Sequence, residues 1–243
     1  VVIVDDDKEY TYTAKNKPKT PELEKDVDGE KPTKAVEKLK GEAYKYNVKT
    51  TIPEVVAGYQ MIIIRDELDD NLDVIGTKVL VDNEEVGNLN ASIDGQLVTL
   101  ELDREQIDAL AGKEITLEIT TKIRFSSEIE IIDNKAQIQL NDNPKVDSNI
   151  VPVIPKNQTI NLEVTKTWKD ESKDRPAKIE VELLQNGEVI ETATITADKD
   201  WRHTFKDLDK FDANGKTHEY AINEKAVDGY ETTIDGFDIT NLR

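Results

Sequence analysis

A lysine, a carboxylic acid and a carboxamide stand where core side chains belong in the last third of the sequence. Lys166 shares its alternating face with Val164 and Trp168 in NLEVTKTW, Glu224 follows Tyr220 and Ile222 in YAINE, and Asn241 follows Ile239 in DITN. Successive side chains of a strand point to opposite faces, so each of these polar groups is expected to point inward with its apolar neighbours. An unpaired ammonium in apolar surroundings is costly enough that it tends to lose its proton. A neutral amine is a nucleophile and a protonated carboxyl is a proton donor. Beside a carboxamide they make up the ingredients of an amide cross-link, formed with loss of ammonia. The residues alone fit a plainer arrangement as well: a buried Lys166–Glu224 ion pair with Asn241 hydrogen-bonded beside it.

The pattern occurs a second time, nearer the start. Lys25 lies between Leu23 and Val27 in PELEKDVDG, Asp66 shares a face with Ile62 and Ile64 in MIIIRDELDD, and Asn134 shares one with Ile132, Ala136 and Ile138 in IIDNKAQIQL. The plainer readings here are a turn-initiating or surface aspartate and an edge-strand lysine that discourages strand addition. Asn141 and Asn149 are rival carboxamides.

The elements that must position these groups are strands. Val98, Leu100 and Leu102 alternate with Thr99 and Glu101, and Ile115, Leu117, Ile119 and Ile123 alternate with Thr116, Glu118, Thr120 and Lys122. Ile179 to Leu184 and Ile190 to Ile195 are rich in β-formers, and Gly187 in QNGE marks a hairpin between them. Helical signals are short. Asp103 is placed to cap DREQIDALAG, with Gln106 completing a capping box and Gly112 ending it. A second short helix is expected around residues 31–40, KPTKAVEKLK. Many short strands and few helices predict an all-β protein of two tandem immunoglobulin-like β-sandwich domains with only short helical pieces. Two prolines and a polar stretch interrupt the strand pattern in PVIPKNQTI, which sets the boundary: a first domain over residues 20–154 and a second over 159–243. Residues 1–19, with VVIV and YTYTA, are either strands of the first domain or the tail of a preceding one.

Composition narrows the function. Of 243 residues, 37% are hydrophobic, 5% are aromatic, and the net charge is −19. A phosphate backbone would be repelled and no basic stripe is present, which argues against nucleic-acid binding; the acidity reads as solubility. No apolar run of about 18 residues is present to span a membrane. There is no cysteine, so any covalent staple is not a disulfide. DELDDNLD lacks the spacing and glycine of a calcium loop and reads as a solvated acidic turn, and DANG at Asp212 to Gly215 as a tight turn. His203 and His218 read as surface strand residues, and Trp168 and Trp201 as core. No nucleophile elbow, phosphate loop or dinucleotide fingerprint occurs, so neither a metal nor a cofactor is expected.

The run VTKTWKD, RPAKIEVELLQNGE, WRHTFKDLDKFDANGK, YAINEKAVDGY and ITN resembles the Cna B-type domain of Gram-positive surface adhesins and pilins over residues 160–243. YAINEKAVDGY also resembles the pilin E-box at Tyr220, Glu224, Gly229 and Tyr230, departing from it at Val227 and Asp228. In that family a first-strand lysine bonds to a last-strand asparagine, promoted by a buried acid, which the resemblance carries to Lys166, Asn241 and Glu224. The stretches EKDVDG, Tyr46 to Pro53, IIIRDELDDNLDV, IDNKAQI and SNIVPV resemble the Cna A-like, isopeptide-forming domains of fimbrial shafts. There the acid is an aspartate, and the roles carry to Lys25, Asp66 and Asn134. The resemblance implies an extracellular stalk or shaft module on the Gram-positive cell wall, whose only chemistry is one self-modifying turnover rather than enzymatic catalysis. Its partners would be neighbouring domains or pilin subunits of the same surface structure. The alternative it implies is an adhesin module gripping a host extracellular-matrix protein such as collagen.

Overall fold

Alternation of apolar and polar residues becomes alternation of burial along many of the strands. In Ala43–Thr51, Tyr44, Tyr46, Val48 and Thr50 are buried while the residues between them are less so, and Leu97–Leu102 buries Val98, Leu100 and Leu102. The computed structural model describes residues 2–5, 8–11, 17–171 and 174–243, the first two stretches as backbone only. The protein is all-β, and its chain divides into two compact units. One comprises Val1–Lys38, Glu42–Arg124 and Ile129–Pro155; the other comprises Leu39–Gly41, Phe125–Glu128 and Lys156–Arg243.

In the first unit one five-stranded sheet runs in the order Glu24–Val27, Ala43–Thr51, Glu114–Ile123, Leu72–Val81, Glu84–Glu85. A second runs Val146–Asp147, Ala136–Leu140, Ile62–Glu67, Leu97–Leu102, Ser92–Asp94. Ile62–Glu67 is a central strand, and its continuous apolar run Ile62, Ile63, Ile64 is buried on both faces, as such a strand requires. Ile64 lies opposite both Leu100 and Ile138. The core, drawn from both sheets, includes Tyr46, Val48, Ile64, Leu100, Leu117 and Ile138. A third, three-stranded sheet has the order Ile132–Asn134, Val151–Lys156, Val36–Leu39.

Two local expectations need correction. KPTKAVEKLK is not helical; it supplies the strand Val36–Leu39. About ten residues containing Pro32 and β-branched Thr33 and Val36 hold a helix poorly without a packed face, and pairing with Val151–Lys156 satisfies the backbone instead. The prolines of PVIPKNQTI do not interrupt a strand either: Pro152 and Pro155 lie within Val151–Lys156. Pro155 lies beyond the residues paired with Ile132–Asn134, where no donor to that strand is needed, whereas Pro152 stands opposite Asp133 inside the ladder.

The capped helix forms as expected, over Arg104–Ala109. Asp103 accepts from the Gln106 N–H, the Gln106 side chain returns a bond to the Asp103 N–H, and Ile107 is buried. Gly112 follows at φ +77°, a left-handed conformation open to glycine, and donates to the Ile52 carbonyl at 2.9 Å. At the start of the chain Val2–Asp5 and Lys8–Thr11 pair with each other as an antiparallel hairpin. The rest of YTYTA lies outside the described residues.

The second unit has a four-stranded sheet in the order Arg202–Asp209, Thr159–Lys169, Asp238–Leu242, Glu231–Asp235, and a three-stranded sheet in the order Glu188–Thr196, Lys178–Gln185, Tyr220–Glu224. Val164, Phe205 and Ile239 from the first sheet and Val181, Leu183 and Ile195 from the second meet in the core. Asn186 and Gly187 both have positive φ, 52° and 90°, which makes QNGE the two-residue hairpin turn its sequence announces. Trp168 and Trp201 pack edge-to-face at 5.2 Å against this core. His203 lies on a strand, whereas His218 does not: it sits in the loop before Tyr220, where its Nδ1 bonds the Asn186 side chain at 2.9 Å.

Candidate functional site

Lys166 and Asn241 sit on neighbouring strands of one sheet, and Glu224 reaches Lys166 from the other. Thr159–Lys169 and Asp238–Leu242 run parallel, with Lys166 opposite Ile239 and Trp168 opposite Asn241. Asn241 is therefore one diagonal step from Lys166 on the same, inward face. Glu224 ends the strand Tyr220–Glu224, opposite Val181, and its carboxylate crosses the core. Lys166 Nζ donates to Glu224 Oε1 at 2.6 Å, and both side chains are fully buried. Nζ also lies 4.5 Å from the centre of the Trp168 ring, which itself packs on Tyr230 at 4.9 Å. Burial pulls the Lys166 amine below the usual lysine range, and the hydrogen bond and charge of Glu224 offset this only in part.

Asn241 is 0% exposed, and neither its Oδ1 nor its Nδ2 has a hydrogen-bond partner among the described residues. The ion pair of the plainer reading is present, but the hydrogen-bonded asparagine is not. A buried carboxamide with no partner is an expensive feature that native structures rarely keep.

In the first unit Lys25 lies on Glu24–Val27 at the edge of one five-stranded sheet, and Asp66 lies in the central strand of the opposing one. Lys25 Nζ is hydrogen-bonded to Asp66 Oδ2, with both side chains fully buried, and sits 4.4 Å from the centre of the Tyr46 ring. The Lys25 amine is pushed down by burial, against the opposing charge of Asp66. Tyr46 is itself buried and shares a hydroxyl contact of 3.3 Å with Tyr44, whose phenol burial pushes up to about 12. Asn134 is 2% exposed, and its Nδ2 has no partner among the described residues. It pairs with Val151 and stands two residues from Ala136, which lies directly opposite Asp66.

The rival carboxamides are committed elsewhere. Asn141 accepts from the Gln60 and Met61 N–H groups and donates to the Gly58 carbonyl. Asn149 accepts from the Lys25 N–H at 2.9 Å and donates to the Lys25 carbonyl at 2.8 Å.

Sequence reasoning missed Thr232. Its hydroxyl donates to Glu224 Oε2 at 2.6 Å from the position directly opposite Asn241. A threonine in a strand is ordinary, and only the register reveals the contact. Among the described residues, no three histidine, cysteine or acidic side chains group so as to hold a metal ion.

Residues 162–242 match the family model described as Cna protein B-type domain. A relative named collagen adhesin, from Staphylococcus aureus, is 40% identical over 87 residues, which is 35% of this chain and 7% of that protein. Platelet adherence protein A of Streptococcus gordonii is 34% identical over 169 residues, covering 63% of this chain and 4% of that protein. Among solved structures, BcpA, the major pilin subunit of Bacillus cereus, aligns with 89% of this chain and 61% of its own at 26% identity, with a TM-score of 0.53. The chain thus spans a small fraction of the two adhesion proteins and about three fifths of the pilin structure.

Proposed function

We propose that this chain, whose residues 162–242 are a Cna protein B-type domain, is a stalk or shaft module of a Gram-positive surface protein or pilus, locked by the amide bonds Lys166–Asn241 and Lys25–Asn134. In this reading the first unit is a Cna A-like domain. The partners are adjoining domains or pilin subunits of one structure on the cell wall, and host adhesion is supported at a distance. The likeness to a major pilin supports a shaft role.

The observation that carries the reading is Asn241, buried without a hydrogen-bond partner one diagonal step from a buried lysine. The chemistry follows from the geometry. A proton passes from Lys166 to Glu224 across their 2.6 Å bond, leaving a neutral amine. The amine attacks Asn241 Cγ and forms the C–N bond while the carboxyl proton is shared with the carboxamide. The second amine proton passes by way of the carboxyl group to the carboxamide nitrogen, the old C–N bond breaks and ammonia departs. Glu224 is left holding the proton it first took from Lys166 and returns to the carboxylate when that proton leaves with the ammonia as ammonium. Lys25, Asp66 and Asn134 perform the same exchange. Proximity fixed by the fold supplies much of the barrier reduction. Each bond joins an early strand to a late one, so tension applied outside the bonded residues does not stretch the sequence between them.

The test is intact mass. Each bond lowers it by one ammonia, about 17 Da, so the chain is expected two ammonias light, and Lys166→Ala and Lys25→Ala one ammonia light each. A mass equal to that of the plain sequence refutes the reading. The second reading, a matrix-binding module, is favoured by the 40% identity to the protein named collagen adhesin. Saturable binding of this chain to immobilised collagen would support it.

A further inference from the structure

Six consecutive residues, 146–151, pass along the strands that carry or face the first-domain trio. Val146 and Asp147 pair with Ile138 and Gln137. Ser148 continues the ladder onto Ala136, the residue opposite Asp66: its N–H donates to the Ala136 carbonyl at 2.8 Å, and its hydroxyl accepts from the Ala136 N–H at 2.9 Å. Asn149 then turns to the opposing sheet and takes both the N–H and the carbonyl of Lys25. Val151 pairs with Asn134. The two polar residues are also tied together, since the Ser148 hydroxyl donates to the Asn149 carbonyl at 2.8 Å.

Glu24–Val27 is an edge strand, hydrogen-bonded on one side to Ala43–Thr51. An edge residue presents a free N–H and C=O and is prone to fray. At Lys25 the Asn149 carboxamide fills both positions as a neighbouring strand would. Two bonds to one backbone residue fix its slide along the strand and its rotation, and so the direction in which the Lys25 side chain leaves the backbone. Ser148 anchors the same dipeptide to the strand facing Asp66. The lysine and the acid, carried on different sheets, are thereby both tied to one dipeptide.

We propose that Ser148 and Asn149 are positioning residues for the Lys25–Asn134 cross-link: they align amine and acid without touching the reacting atoms. The proposal rests on the first-domain bond put forward above and adds what aligns it. It also accounts for the choice of asparagine, because the Asn149 oxygen and nitrogen are both engaged by the Lys25 backbone while the Asn134 nitrogen has no partner among the described residues.

The experiment follows the full chain through cell-free synthesis. Timed samples are digested, and the Lys25 and Lys166 cross-linked peptides are quantified by mass spectrometry. Protease resistance of the first domain is read on the same samples, so that rates refer to folded molecules. Asn149→Ala and Ser148→Ala are expected to slow first-domain bond formation by about tenfold or more, since a misplacement of about 1 Å can cost a hundredfold. The Lys166 bond in the same molecules should form at its usual rate. Asn149→Asp keeps the acceptor and loses the donor, so its rate should fall between; Ser148→Thr keeps the hydroxyl and should restore the wild-type rate. Unchanged first-domain kinetics in Asn149→Ala overturn the positioning role alone. If that variant does not fold, unchanged kinetics in both Asn149→Asp and Ser148→Ala overturn it. A Lys25–Asn149 peptide would make Asn149 a reactant and overturn it as well. A wild-type chain with no first-domain bond overturns the cross-link and the positioning role together.

Discussion

Thr232 and Lys166 divide the Glu224 carboxylate between them: the threonine hydroxyl donates to Oε2 and the lysine amine to Oε1, each at 2.6 Å. In the cross-linking proposed above, with Oε2 engaged as an acceptor, Oε1 is the oxygen left to take the lysine proton. In that reading Thr232 orients the acid and leaves the chemistry to its neighbours. Thr232→Val is expected to slow formation of the Lys166–Asn241 bond by about tenfold, the scale of a misaligned general acid, while the final mass stays the same. Thr232→Ser should recover the rate. Intact mass at timed intervals after synthesis distinguishes these outcomes.

Replacing the acids separates bond formation from folding. Glu224→Gln removes the proton carrier, so the chain should lose one ammonia instead of two, and Asp66→Asn should do the same in the first domain. Each variant also leaves a buried lysine without its charge partner, which destabilises by about 3–5 kcal/mol. Urea unfolding combined with intact mass reads both effects on one sample.

Asn241→Ala keeps the Lys166 amine free and makes it titratable. Burial holds that amine below its ordinary 10.5 in the folded chain. Between the folded value and 10.5 the unfolded chain binds the extra proton, so the variant's stability should rise with pH across that window and level off above it. In a cross-linked wild type the nitrogen is an amide and this component is absent. The difference between the two urea-unfolding curves, followed from neutral to alkaline pH, should have this sign; the opposite sign would show the amine charged in the folded variant.

The helix Arg104–Ala109 depends on its cap. Asp103→Ala deletes the bond to the Gln106 N–H and the reciprocal capping box. A loss of about 0.5–2 kcal/mol is expected in urea unfolding, with both cross-links still formed, because the helix carries none of the reacting groups.

Both trios could be read in the sequence because their signal is local: Lys166 beside Val164 and Trp168, or Asp66 beside Ile62 and Ile64, breaks an alternation that a few residues define. The capping box at Asp103 and the turn at Gly187 are equally local. What stayed hidden depends on register between distant segments. Nothing near Thr232 announces that it lies opposite Asn241, or that its hydroxyl meets an acid from the other sheet. Asn149 and Asn134 are both asparagines near apolar residues, and what separates them is tertiary: Asn134 is buried in a strand, whereas Asn149 is half-buried in a loop with its side chain taken by a remote backbone. Residues 31–40 misled because Val36 and Leu39, three apart, fit helical spacing and fall on opposite faces of a strand, and the partner that makes the segment a strand, Val151–Lys156, is far along the chain.

The position of Asp238–Leu242 has a consequence for how the second domain is made. The strand nearest the end of the chain lies between Thr159–Lys169 and Glu231–Asp235, inside its sheet. During synthesis from the N-terminus Thr159–Lys169 is complete first, with the edge that Asp238–Leu242 will occupy still open, and Glu231–Asp235, whose sheet partner is Asp238–Leu242, joins the sheet with it. That open edge would accept the same strand of a second molecule by the same pairing, which is the route to domain swapping. An amide bond to Asn241 would make whichever strand arrives first the permanent occupant. Exchange between molecules would then be confined to the interval between emergence of the last strand and closure of the bond, and a swapped pair caught in that interval would be joined covalently.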